Sequence, residues 1–447
     1  MRVRFLSDQP IETAAEDGLG LGAFVATLQG MLASSETPFV FGLLGEAGSG
    51  RTSALRLLEA QLRVEREAGA SALVPVWLNA RQYENEVNLF YPLLYALRQA
   101  YQADRRITAL AGARGFGSMF ARVAATSALA GTDVALHGAT RNLAGEALSL
   151  KELREHLEAV RQQPEHLEGL LRGWADAVSQ LRSGFEALLG TYASDLARAD
   201  PRLKVEDVRF AILVDDLDRC SPANAHTILE NVRHFLAVRR AVLVLALNAP
   251  VMARALGRAQ AGTPDDGRQY LEAALNASVH LPQPAPEQVQ RFAGQALARQ
   301  VEDVDPALSV ILEGCFDTAA RVWEECRLDN PRQLKRLVNR YLLFIQRNAA
   351  QLDQFSLPNV ARLLAIAETE PRLFQAYLAD AERVRSDLSN LGAPGFSLAA
   401  FEAAQGVAAR APYARLLARR KLFQLEVDAD KPSLQQQVNE VDLLTRW

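Results

Sequence analysis

The sequence predicts an α/β protein built on a largely parallel sheet, with a long helical insertion and a helical C-terminal region. Three observations carry this reading. Four short apolar runs, Phe39–Leu44, Leu73–Leu78, Phe210–Val214 and Val242–Leu247, are continuous rather than alternating, the pattern of strands covered on both faces. Longer stretches of helical periodicity separate them, as parallel strands joined by crossover helices require. Strand signal is absent over 105–203 and again after Pro282, where both segments read as helical.

These features divide the chain into a discontinuous core, 1–104 with 204–282, an insertion at 105–203, and a helical lid and C-terminal region at 283–447. Inside the insertion, Lys151 and Glu155 have the spacing of an ion pair on one helix face, and glycines break the pattern at 112–117. The Pro-rich link HLPQPAPEQ, 280–288, is the clearest boundary. Beyond it, Pro306, Pro331, Pro358 and Pro371 punctuate the helical pattern.

Composition narrows the function. A formal net charge of −4 gives no global basic footprint for nucleic acid. The three cysteines, Cys220, Cys315 and Cys326, lack metal-ligand spacing, and their odd number argues against a disulfide framework. No secretory leader opens the chain and no run of 18 apolar residues occurs, so a soluble, cytoplasmic protein is expected. The nearest approach to a span, Ile107–Thr140, is interrupted by Arg114, Arg122 and Asp133.

The first apolar run leads into Gly45-Glu46-Ala47-Gly48-Ser49-Gly50-Arg51-Thr52-Ser53 and then an amphipathic helix. This is the strand–loop–helix setting of a phosphate-binding loop, the Walker A motif. Glycines let successive backbone N–H groups wrap a phosphate, and the helix start adds its positive end. Thr52 is placed to offer its hydroxyl to Mg²⁺. Arg51 stands where the motif has lysine. Its charge is kept, but a planar fork replaces a compact ammonium, which puts turnover in question.

The third run ends in Asp215-Asp216-Leu217-Asp218-Arg219. Carboxylates delivered at the end of a buried strand are how phosphate-loop proteins hold Mg²⁺, the Walker B role. Asp215 is assigned to the metal and Asp216 to orienting the attacking water. Asp218 and Arg219 would pair locally or reach across an interface. The fourth run ends in Asn248, which suits either a γ-phosphate sensor or the cap of the helix announced by Pro250.

Taken together, these segments resemble the KAP family of P-loop NTPases. VDDLDRCSP, 214–222, is similar to its hallmark, and VPVWLNARQYENE, 74–86, LVLALNAPVMARAL, 243–256, QYLEAALNASVHLP, 269–282, and NPRQLKRLVNRY, 330–341, follow in its order. The resemblance spans roughly residues 18–345 and implies ATP and Mg²⁺ as ligands. It also implies that Arg332 or Arg336 reaches the γ-phosphate from a helical lid. A solvated charged face is the competing reading of those arginines, and a nucleic-acid patch is the third. Three departures bear on catalysis: Arg51, Asn248 where aspartate is more usual, and Ala273 where lysine is usual.

The expected function is a nucleotide-driven switch with slow ATP hydrolysis. A nucleotide-binding scaffold without turnover is the alternative, and a protein with a vestigial site is the third. The family resemblance hints at defence against phage or plasmids. Protein partners or self-association are expected, with Arg219, Arg239 and Arg240 as candidates for a neighbour's phosphate. A peripheral membrane contact stays open.

Overall fold

In the computed structural model the four apolar runs become adjacent strands of one parallel sheet. The structure describes residues 2–83, 90–108, 116–120, 123, 164–232, 238–260, 262–304, 306–406, 413–428 and 430–445. The chain divides into two compact units. One comprises Met1–Leu21, Gly48–Gly50 and Pro282–Trp447; the other comprises Gly22–Ala47 and Arg51–Leu281.

The strands, in chain order, are β1 (Arg2–Val3), β2 (Phe39–Leu44), β3 (Leu73–Asn79), β4 (Arg209–Asp215), β5 (Ala241–Leu247), β6 (Ala277–His280) and β7 (Val301–Glu302). Five of them form the sheet of the second unit in the order β3-β4-β5-β2-β6, every pairing parallel. All seven residues of β5 are buried, as its central place demands. Each expected strand is present, and β3, β4 and β5 extend slightly beyond their apolar runs. β6 was not legible as a strand. It is short, lies at the sheet edge and alternates half-buried with exposed residues, so it carries no continuous apolar signal.

Between β3 and β4 the described chain is mainly helical: Phe90–Ala103, Arg105–Thr108, residues 116–120 and Pro164–Ala199. About half of the expected insertion, including Lys151, Glu155 and the Ile107–Thr140 stretch beyond residue 123, lies outside the described residues. Helix Pro164–Ala199 lays Phe185, Leu188, Leu189 and Tyr192 into the sheet core, with the Tyr192 ring 5.1 Å from that of Phe210 on β4. Helices Ala249–Ala259 and Pro264–Ala274 meet backbone to backbone. A Cβ on Gly267 would lie 2.0 Å from the Ala253 carbonyl oxygen, so only glycine fits there.

In the other unit β1 pairs antiparallel with β7, and the other described elements are helices. The prolines begin helices rather than break them. Pro286, Pro306, Pro331 and Pro371 are first residues and Pro358 is the second, positions whose N–H would have no partner within the helix. Trp323, fully buried, donates through Nε1 to the Ala361 carbonyl at 3.1 Å, and the Tyr341 hydroxyl donates to the Cys315 carbonyl at 3.1 Å. All three cysteines are buried and outside any disulfide. Among the described residues no helix is long and apolar enough to cross a membrane.

Candidate functional site

The sheet order places β5 between β2 and β4, so the glycine loop after β2 and the acidic turn after β4 flank Asn248 at the end of β5. Gly45 opens the loop by donating to the Leu247 carbonyl of β5 at 3.3 Å. Gly48 and Gly50 have φ of +84° and +102°, left-handed values that glycine adopts without strain. Glu46 and Ala47 are exposed, and Ser49 keeps a buried hydroxyl oxygen with no partner. The helix then runs Arg51–Glu67, as the motif requires.

Thr52 and Asp215 come together: the Thr52 hydroxyl lies beside the Asp215 carboxylate and favours its charged form. Asp215 is 2 % exposed, and its Oδ2 has no partner. Burial pushes its carboxyl up from the usual range and the neighbouring Asp216 charge adds to this, while Thr52 and Arg51 pull the other way. Hydroxyl and carboxylate oxygens are the hard donors Mg²⁺ prefers, so these two residues fit the expected metal.

Asp216 adopts φ 57°, ψ 24°, a left-handed conformation rare outside glycine. It starts the 3₁₀ turn Leu217–Arg219. Two neighbours hold its carboxylate: Asn79 Nδ2 donates to Oδ2 at 3.2 Å and Arg219 Nε lies 2.9 Å from Oδ1. The local pairing expected for Arg219 is therefore with Asp216.

Asp218 pairs with Arg51. Nη2 of Arg51 donates to Oδ2 of Asp218 at 2.9 Å, with side chains only 8 % and 6 % exposed. Arg51 Nη1 and Asp218 Oδ1 are buried and without partners. The sequence placed Arg51 at the phosphates but gave no sign of this partner.

Asn248 caps the helix Ala249–Ala259, its Oδ1 accepting from Val251 N at 3.1 Å. The capping reading is thus realised, and a phosphate contact would use its Nδ2. Ala273 is exposed on the helix Pro264–Ala274.

Within the unit that contains Gly48, the amide of Arg332 donates to the Gly48 carbonyl at 3.3 Å. Asn330 caps the helix Pro331–Asn348, accepting from the amides of Arg332 and Gln333. The Arg332 side chain pairs with Asp8 at 2.7 Å. Arg336 and Arg340 share Glu368, at 3.2 and 2.8 Å. All three arginines of that helix face are therefore held by carboxylates. Arg239 pairs with Glu186, and Arg240 donates to the carbonyls of Val205 and Val208. Among the described residues no cluster of three or more His, Cys, Asp or Glu could hold a metal.

Comparison with known proteins shows the family. The model of the KAP family P-loop domain matches residues 23–346. The phage T7 exclusion protein of Escherichia coli (strain K12) is 21 % identical over 383 residues, covering 82 % of this chain and 46 % of that protein. The chain thus spans about half the length of this relative. Two solved structures overlap weakly. The Aeropyrum pernix ORC1 protein in complex with DNA matches at TM-score 0.31 and 13 % identity, over 89 % of this chain and 85 % of its own. The Aeropyrum pernix ORC2 protein, in ADPNP–ADP complexes, matches at TM-score 0.33 and 12 % identity, over 96 % and 93 %. At such scores the overlap fixes no detail of this site.

Proposed function

We propose, for a chain that belongs to the KAP family of P-loop domains, a nucleotide-dependent switch that binds Mg-ATP and hydrolyses it slowly. The observation that carries the reading is the meeting of Thr52 with Asp215 beside a loop of left-handed glycines. Buried, unpartnered polar atoms at Ser49, Arg51 and Asp215 add to it, because unsatisfied polar groups are costly unless something completes them.

In this reading the amides of Gly45–Thr52 hold the phosphates, helped by the positive end of the helix Arg51–Glu67. Thr52 and Asp215 hold the metal. Bound magnesium supplies charge neutralisation at the phosphate oxygens. Asp216 orients the water, with its carboxylate aimed by Asn79 and Arg219. Asn248 offers its Nδ2 to the outer phosphate.

One set of observations favours the scaffold alternative, in which binding alone sets a partner-competent shape. Arg51 is paired with Asp218, both oxygens of Asp216 are engaged, and Asn248 spends its oxygen on a helix cap. Each engagement lowers the number of groups free to act in turnover. Slow hydrolysis follows from the same facts.

Steady-state ATP hydrolysis by purified protein, with Asp216→Asn as contamination control, tests the switch. Turnover that the variant loses supports it. No turnover, with Mg-ATP still raising the melting temperature, leaves the scaffold. No shift at millimolar Mg-ATP sinks both.

The likeness to a phage exclusion protein supports a role in bacterial defence. We further propose a cytoplasmic setting with protein partners or further copies of the chain. Phage plating on cells with wild type or Asp216→Asn tests that role. Equal plating on both, and on cells lacking the protein, rejects it.

A further inference from the structure

The pair Arg51–Asp218 is built unlike an ordinary structural ion pair. Arginine and carboxylate usually meet as two forks, with two parallel hydrogen bonds. Here one bond is made, Nη2 to Oδ2 at 2.9 Å, and the second atom of each fork is left buried and unpartnered. A buried pair is a weak source of stability even when complete, because both ions lose their hydration. Leaving two polar atoms unsatisfied makes it weaker still. Stability therefore does not account for this geometry.

Local chain geometry explains how Asp218 comes to be there. Asp216, in its left-handed conformation, turns the chain out of β4 into the short turn Leu217–Arg219, where Leu217 is fully buried. Asp218 is thereby carried to the first residue of the helix that follows the glycine loop.

We infer that Asp218 is a positioning residue for Arg51: it occupies Nη2 and fixes the guanidinium so that Nη1 is presented to a phosphate oxygen. This rests on the nucleotide reading above. Arginine has a longer and more adaptable side chain than the compact lysine ammonium usual at this position. Unrestrained, it would sample many rotamers and lose entropy on gripping a phosphate. Held by Asp218, it has lost that freedom before the nucleotide arrives. A carboxylate that merely competed with phosphate would be expected to take both Nη atoms. Asp218 takes one.

The test is a double-variant cycle on Mg-ATP affinity, using the full chain, Asp218→Asn, Arg51→Ala and the double variant, titrated into the millimolar range by thermal shift. Asp218→Asn keeps the volume and an acceptor oxygen, so it tests the pair where Asp218→Ala fails to fold. The expected result is a loss of about tenfold in affinity for Asp218→Asn, the size of a charge-assisted hydrogen bond. That loss should disappear in the Arg51→Ala background, and Asp218→Glu should recover part of it.

A role confined to the fold would instead give the same loss with and without Arg51. That result, or unchanged Mg-ATP affinity in Asp218→Asn, overturns the inference while leaving the nucleotide reading intact. Absence of Mg-ATP binding by the wild-type chain overturns both.

Discussion

Asn79 stands opposite Asp215 in the β3–β4 register, yet its amide donates one residue further on, to Oδ2 of Asp216 at 3.2 Å. The edge strand β3 thus steadies the carboxylate assigned to the attacking water. The left-handed turn at Asp216 makes this support necessary, because the chain leaves β4 at that residue in a conformation that costs a non-glycine about 1–2 kcal/mol.

Asn79→Ala should therefore lower ATP turnover more than it lowers Mg-ATP affinity, since Asp216 loses an orienting donor while Thr52 and Asp215 are untouched. Asp216→Asn should abolish turnover with binding nearly intact. Steady-state kinetics beside a binding titration checks both; a fall in affinity equal to the fall in turnover contradicts the division of roles.

Gly48 has φ +84°, and a Cβ built there would lie 2.7 Å from Asn330 Oδ1 and 2.8 Å from the Arg332 Cβ. Gly48→Ala should destabilise the protein by at least about 1 kcal/mol and weaken Mg-ATP binding. Gly30, by contrast, sits exposed in the helix Leu21–Ser34 with open space around its missing Cβ. Gly30→Ala should stabilise by about 0.5–1 kcal/mol. Chemical denaturation compares them, and opposite signs are the expected outcome.

Asp200 is nearly buried and accepts two bonds from the Arg202 guanidinium, at 2.9 Å each, and one from Arg106 Nη1 at 2.8 Å. The Arg202 hydrogen bonds hold its carboxyl down to about 2 from the ordinary 3.8. The unfolded chain binds the proton more readily, so the stabilisation is full above pH 3.8 and is lost as pH falls towards 2. Asp200→Asn should be less stable than wild type at pH 7, and the gap should close across that acid window. A gap unchanged down to pH 2 would contradict the assignment.

Burial raises the thiols of Cys315 and Cys326 to about 11 and about 12. Thiolate is the reactive form, so neither should be alkylated in the native protein at pH 8 over minutes, whereas denatured chain should react at both. Mass spectrometry of iodoacetamide-treated protein reads this directly.

Glu368 accepts both Arg336 and Arg340 while itself only 6 % exposed. Glu368→Ala leaves two cations without their partner. Because both arginines are partly exposed, solvent should limit the loss to about 1 kcal/mol, seen as a lower melting temperature that salt partly masks. A change that is insensitive to salt points to packing instead.

The sequence by itself determined the strands whose residues are apolar without interruption, the proline-led helices, and the loop and acidic turn that carry the site. Those signals are contiguous: glycines at fixed spacing set a backbone shape, and a buried strand ending in aspartates delivers carboxylates wherever the fold puts it. β6 escaped because an edge strand with one solvated side needs no apolar run. Asn248 was legible as a helix cap because capping is local.

Only the tertiary structure decided the pairings within the candidate site. Asp218 meets Arg51 across 167 positions and Asn79 meets Asp216 across 137. Strand order sets both meetings, with β5 lying between β2 and β4. A side-chain pair at such separation leaves no local pattern, because its energy comes from two elements brought together by the burial of other residues.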